Sequence, residues 1–149
     1  MNARLLATAV AVGAIAVTAV PADAAPKTMK ETYAVSVPVP FPVMEDIPGY
    51  NGCWNGEEGV SKNSKQITLP DAGMFKATVA YTGDWDLYLF DAKGTILTAA
   101  ETTETGNTGP GTERIAWKKG KKGQKVTLVA CNWMGLKDAT VTYEYTYGR

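Results

Sequence analysis

The stretch Gly83–Gly94, which reads GDWDLYLFDAKG, decides the fold because its residues alternate in chemistry. Trp85, Leu87 and Leu89 fall on one face of an extended chain, since strand side chains alternate with a period of two. Residues 91–94 have the composition of a tight turn, and a second apolar run follows them. The stretch therefore predicts a β-hairpin with one wholly apolar face.

The rest of the chain repeats this pattern of short alternating runs between turn residues. Such runs cover residues 64–69, 74–82, 112–117, 126–133 and 140–147. No segment after residue 24 shows a helical period. About eight short strands without crossover helices predict an all-β fold, an antiparallel β-sandwich of the jelly-roll type. An immunoglobulin-like sandwich is the alternative, since two cysteines with interleaved tryptophans also suit it.

The N-terminus has the features of an export signal. Arg4 precedes an apolar run, Leu5–Val20, and the small residues Ala22-Asp23-Ala24 follow as a cleavage site. The run is shorter than the roughly 20 residues that a membrane-spanning helix needs. We therefore expect cleavage after Ala24, secretion from a bacterial cell into the extracellular space, and no membrane contact afterwards.

The secreted part is expected to form one domain. Residues 25–63 are expected to be an N-terminal arm and cysteine loop that pack on a sandwich of residues 64–149, with residues 25–30 as a loose leader. Proline occupies every second place from Pro38 to Pro42, and proline cannot donate to a sheet ladder. This part of the arm is therefore either an edge strand or a polyproline-like chain along the domain. The alternative is a proline-rich ligand for a partner.

Cys53 and Cys131 are the only cysteines of the chain. In an oxidising compartment two such cysteines are expected to form a disulfide. A thiol nucleophile is the alternative, but it lacks a base because the chain contains no histidine.

The composition excludes several functional classes. Without histidine, Ser-His-Asp and Cys-His catalysis and histidine-based zinc sites are ruled out. Fifteen acidic and fifteen basic residues leave no net charge, so the chain has no long-range field that would attract nucleic acid. We expect no enzymatic activity and no nucleic-acid partner. An enzyme that depends on carboxylates alone is the remaining catalytic alternative.

The carboxylates Asp84 and Asp86 are the candidate metal ligands. They lie two residues apart on one face of the predicted strand, which places their side chains roughly 6.5 to 7 Å apart. This spacing allows both to bind one Ca²⁺, with Glu57, Glu58 or Asp91 as further ligands. No other cofactor is expected. The alternative is that Asp84 caps the preceding turn and Asp86 accepts backbone or lysine hydrogen bonds.

Tyr88 and Phe90 continue the face that begins with the two aspartates. Exposed aromatic rings beside acids are typical of a sugar-binding platform. The alternative is that the N-terminal arm covers this face, because the alternating valines of the arm need a surface to lie on.

The chain contains one cluster of basic residues, formed by Lys118, Lys119, Lys121, Lys122 and Lys125. A solvated hairpin tip is the expected structure for such a cluster. The alternative is weak adhesion to polyanionic cell-wall material.

The segment Gly83–Leu97, GDWDLYLFDAKGTIL, resembles the Asp-x-Asp-Leu-Tyr-Leu…Asp-x-x-Gly core of the bacterial pre-peptidase C-terminal domain. The resemblance extends from about Ser64 to Tyr147. It departs at residues 122–125. The family usually has a small residue followed by Gly, Thr and Tyr before its penultimate strand, and this chain keeps only the glycine, Gly123.

This resemblance implies a jelly-roll-like β-sandwich of the kind that accompanies secreted peptidases, and some members of the family bind calcium. We accordingly expect a secreted accessory module that contacts extracellular polysaccharide or protein. The alternative is a partner or inhibitor of a peptidase that is encoded separately.

Overall fold

The computed structural model describes residues 25–41, 52–100 and 109–148, so the expected signal at residues 1–24 lies outside the described residues. The described residues form seven strands: β1 (Lys27–Ser36), β2 (Lys62–Thr68), β3 (Gly73–Asp91), β4 (Ile96–Ala100), β5 (Pro110–Gly120), β6 (Lys125–Gly135) and β7 (Asp138–Tyr147). One short 3-10 helix, Cys53–Asn55, precedes β2. The strands pair antiparallel throughout, which confirms the predicted all-β antiparallel fold. Among the described residues we find no helix with the length and hydropathy of a membrane span.

The long strand β3 organises the sheet. Its first half pairs with β5 and β7, and its second half pairs with β4 and β6. The two half-sheets therefore run β1-β7-β3-β5 and β4-β3-β6-β2. If the halves of β3 are counted as two strands, this is the strand order of a jelly roll. The same count explains why the sequence predicts about eight strands, whereas the described residues form seven.

Gly83 marks the point where β3 passes from one half-sheet to the other. The sequence predicts a break between two strands here, whereas the chain continues through a bend with Gly83 at φ 107°. Gly83 lies opposite Gly135 of β6, and the absence of both side chains lets the two backbones approach closely.

One hydrophobic core is shared by the two half-sheets. It contains Phe75, Ala77 and Val79 from the first half of β3, Trp85, Leu87 and Leu89 from the second half, Val126 and Leu128 from β6, and Val141, Tyr143 and Tyr145 from β7. The apolar face that the opening stretch predicts is therefore the face that enters the core. A core shared by two layers is what the predicted sandwich requires.

The hairpin predicted from the same stretch is also present, between β3 and β4. The Asp91 carboxylate accepts hydrogen bonds from the backbone N–H groups of Lys93 at 2.8 Å and Thr95 at 2.9 Å. The backbone N–H of Thr95, more than the other contacts, holds the pKa of Asp91 below its usual value. Gly94 closes the turn at φ 80°.

The N-terminal arm begins as an integral strand. The expectation of a loose leader over residues 25–30 is wrong from Lys27 onward, because β1 pairs with β7 along its full length. β1 ends at Ser36, before the first proline, and Val37 then donates its N–H to the Lys137 carbonyl at 2.7 Å. Residues 38–41 lie along the domain, as one of the two predictions has it, and Pro42 lies outside the described residues.

A polar contact joins β1 to β2, the edge strands of the two half-sheets. The Lys65 ammonium binds the Glu31 carboxylate and lies 4.5 Å from the centre of the Tyr33 ring. The Tyr143 hydroxyl donates to the other Glu31 oxygen at 2.9 Å. The hydrogen bond from Lys65 lowers the pKa of Glu31, whereas burial raises the pKa of Tyr143 to about 12.

Candidate functional site

A second apolar cluster covers the outer face of the half-sheet β4-β3-β6-β2. Its buried members are Phe41, Cys53, Tyr88, Phe90, Val129 and Cys131, and Val39, Trp54, Val60 and Trp133 pack against them. Phe41 from the arm stacks on Trp133 with 5.2 Å between ring centres. Arm and cysteine loop together thus cover this face, which is the alternative given above for Tyr88 and Phe90. Only 3% of Tyr88 is exposed, so it offers no platform for a ligand.

The disulfide fixes the cysteine loop to the centre of this face. Cys53 and Cys131 are both fully buried, their sulfurs lie within bonding distance, and their Cα atoms are 5.8 Å apart. The predicted pair is therefore confirmed. Since β6 lies between β2 and β3, the bond attaches the short 3-10 helix to the middle of the half-sheet.

Trp54 lies next to this bond in the chain. It follows Cys53 directly, and its ring lies 5.7 Å from the Phe90 ring at a tilt of 52°. Its carbonyl oxygen accepts a hydrogen bond from the Lys62 ammonium at 2.9 Å. Backbone and side chain of Trp54 are thus both held against the outer face of the sheet.

Asp84 and Asp86 are buried and do not lie on an exposed face. Only 2% of Asp84 and 6% of Asp86 is exposed. The Tyr88 hydroxyl donates to an Asp86 oxygen at 3.3 Å. Asp86 thus accepts a hydrogen bond from a tyrosine hydroxyl, a donor that the alternative given above does not include.

The structure does not bring the five candidate calcium ligands together. Glu58 accepts a hydrogen bond from the Ser64 backbone N–H at 2.7 Å, and Asp91 is engaged in the hairpin turn. Among the described residues, one group of three has its ligand atoms within 4.8 Å of one another, and it consists of Asp86 and the two cysteines. Both sulfurs of that group are in the disulfide, and neither Glu57 nor Asp84 belongs to the group.

A groove of about 330 Å³ opens where the cover ends, on the outer face of β2, β6 and β3. It is lined by Trp54, Asn55, Lys62, Ser64, Gln66, Phe90, Asp91, Ala92, Gly94, Thr127 and Val129. We call it the Trp54 groove. Phe90 and Val129 are its buried residues, and Trp54 is half-buried beside them.

Strand geometry explains the polar residues of the Trp54 groove. Lys62, Ser64 and Gln66 alternate along β2, so their side chains share one face, while Ile67 next to them enters the core. Thr127 of β6 lies directly opposite Gln66. An aromatic wall beside amide, hydroxyl and ammonium groups suits a ring with an apolar face and hydroxyls at its edge, which is the chemistry of a sugar.

Sequence reasoning named Phe90 of this groove as a ligand-binding residue and Asp91 as a metal ligand, and it missed the other lining residues. Tyr88, which the sequence pairs with Phe90, lies under the arm. A signal for Trp54 was present, since a tryptophan beside a bridged cysteine in a glycine-rich loop is held at the surface. The polar face of β2 was also readable as the side opposite Ile67.

Comparison with protein-family models and with curated proteins gives no significant match to this chain. The resemblance to the pre-peptidase C-terminal domain therefore remains a prediction. Function has to be argued from the site itself.

Proposed function

We propose that this chain is an exported, non-catalytic module that binds extracellular glycan in the Trp54 groove. The observation that carries the proposal is the Trp54 ring, held 5.7 Å from Phe90 above the polar row of β2. The volume of about 330 Å³ is at the lower end of the range for small-molecule sites, which fits a short stretch of sugar rings.

The acidic residues support the non-catalytic part of the proposal. Carboxylate-dependent glycoside hydrolysis needs two acids that flank the scissile bond. Asp84 and Asp86 follow one another on the same strand and are buried, so they do not flank an open cleft. Asp91 lines the groove, but its carboxylate caps a turn.

The disulfide supports the exported part. A buried bridge between the only two cysteines is typical of proteins that fold in an oxidising compartment. The resemblance noted above implies the same environment, and it implies contact with polysaccharide or protein. The groove favours polysaccharide, because its polar side chains lie beside one aromatic wall.

The test is a binding screen of the secreted protein against immobilised glycans, followed by titration calorimetry with the best ligand. Trp54→Ala should weaken binding at least about tenfold, the loss expected for a central aromatic contact. Trp133→Ala is the matched control, since Trp133 is also half-buried against the same cluster and does not line the groove. Its binding should stay within about twofold of the original.

Two results would overturn the proposal. One is a screen in which no glycan is retained, and the other is equal loss of affinity in both tryptophan variants. Inhibition of a secreted peptidase by a protein that retains no glycan would support the peptidase alternative instead.

A further inference from the structure

A second cavity, of about 610 Å³, lies between β4 and β5 and reaches the turn after β5. We call it the lysine cleft. Its lining includes Ile96 and Leu97 from β4, Trp117 and Lys119 from β5, and Lys121 and Lys122 from the turn. All three lysines are exposed, and 45% of Ile96 is exposed.

The fold divides the lysine cluster seen in the sequence. Lys118 precedes Lys119 on β5, so it points to the other side of the strand, where it lines a separate cavity with Gly73 and Tyr147. Lys125 begins β6 and does not line the cleft. The cleft therefore gathers a subset of the cluster that spacing alone does not identify.

The backbone that carries these lysines is well fixed. Gln124 donates its N–H to the Lys121 carbonyl at 3.1 Å, and the Gln124 side chain accepts from the Lys121 N–H at 3.2 Å. Gly123 donates to the Leu69 carbonyl at 2.8 Å. Because the turn is tied to itself and to the chain before β3, a ligand that binds the ammonium groups need not order the backbone.

The charge of the lysine cleft is not neutralised within the described residues. No carboxylate of the described residues lines the cleft, and the ion pairs found among those residues, Glu31 with Lys65 and Asp138 with Lys137, do not involve its lysines. Three ammonium groups around an apolar floor thus form a local positive patch on a protein with no net charge.

We propose that the lysine cleft binds an anionic polysaccharide, with its carboxylates on the three lysines and its sugar rings on Trp117 and Ile96. This site is separate from the Trp54 groove and does not depend on it. A polymer with one carboxylate on each ring matches a cleft that offers several point charges and an apolar floor.

The shape of the cleft favours this ligand over the two other classes of polyanion. Membrane binding needs several apolar side chains that protrude beyond the basic ones, whereas Ile96 is the one exposed large apolar side chain in the described lining and Trp117 is half-buried against the core. Single-stranded nucleic acid needs several aromatic side chains on which successive bases stack, and among the described residues Trp117 is the one aromatic residue in the lining.

The test uses the full secreted protein and polygalacturonate as the probe, with a neutral polysaccharide of similar length, single-stranded DNA and anionic lipid vesicles as competitors. The variant Lys119→Gln, Lys121→Gln, Lys122→Gln should bind polygalacturonate about tenfold more weakly. The matched control replaces Lys27, Lys30 and Lys76 by Gln, since these exposed lysines change the net charge equally and lie outside the cleft. Affinity of the control should stay within about twofold, and raising the salt concentration should weaken binding by the original protein.

Equal losses in the two triple variants would overturn the proposal, because the effect would then be one of overall charge. Tighter binding of DNA or of vesicles would overturn it in favour of another class of partner. Trp54→Ala separates the two sites: unchanged polygalacturonate affinity supports an independent cleft, whereas loss in Trp54→Ala without loss in the lysine variant assigns the polymer to the Trp54 groove.

Discussion

Removal of the disulfide should destabilise the protein and weaken the Trp54 groove together. Cys53 and Cys131 are 78 positions apart, and a cross-link over that distance lowers the entropy of the unfolded chain by an amount worth about 4.5 kcal/mol at 25 °C. Domains of this size are typically stable by only about 5 to 15 kcal/mol. The double variant Cys53→Ala, Cys131→Ala should therefore lose a large part of its free energy of unfolding. Without the bond, the position of Trp54 rests on its contacts with Lys62 and Phe90, so glycan affinity should also fall.

The assay is urea unfolding followed by tryptophan fluorescence, with the variant, the oxidised protein and the reduced protein in parallel. Reduction keeps both sulfur atoms in the buried cluster, so a similar loss in the reduced protein and in the variant assigns the effect to the cross-link and not to packing. A loss below about 1 kcal/mol in the reduced protein would refute the reasoning, because the bond would then not restrict the unfolded chain as calculated.

Two further changes test the bend in β3 and the Glu31 contact between the edge strands β1 and β2. Gly83→Ala would place a Cβ 2.6 Å from the Met134 carbonyl oxygen and closer still to the Gly135 Cα. The control is Gly59→Ala, since Gly59 shares the positive φ but has open space around it. The free energy of unfolding should fall by at least about 2 kcal/mol more in Gly83→Ala than in Gly59→Ala. A difference near zero in urea midpoints would show that the bend tolerates a side chain. Burial raises the pKa of Tyr143 to about 12, so its contribution to stability is fully present below its ordinary pKa of about 10 and is lost as the pH rises through 12. Stability measured from pH 8 to 11.5 should therefore fall less steeply in Tyr143→Phe than in the original protein, and parallel curves would contradict this.

The sequence was sufficient to predict the elements whose two faces differ in polarity. Phe75, Ala77 and Val79 alternate with polar residues and enter the core, as do Trp85, Leu87 and Leu89. The disulfide also followed from composition and compartment. In these cases the determinant is local, either a period of two or a count of two cysteines.

The features that the sequence did not predict depend on contacts between distant parts of the chain. The residues around Lys27 have no pattern that shows where β1 begins. This edge strand has one neighbour and is defined by its pairing with β7. Likewise, the face of Asp84, Asp86, Tyr88 and Phe90 has the composition of an exposed surface and is buried, and Phe41 and Trp54 from outside the strand pack in one cluster with Tyr88 and Phe90. Local alternation reports the polarity of a face and does not report whether another segment lies on it.

The position of the candidate site follows from the extent of this cover. The second half of β3 is buried on both faces from Gly83 to Phe90, and burial decreases at Asp91, where the chain enters the hairpin turn. Phe90 is thus the last residue under the cover, and Trp54 is the part of the cover that reaches it. The outer face of the sheet is open at this boundary, where the Trp54 ring of the cover meets the polar row of β2. Any change that shifts the cysteine loop along β3 should therefore move or close the groove, even if it leaves every residue of β2 in place.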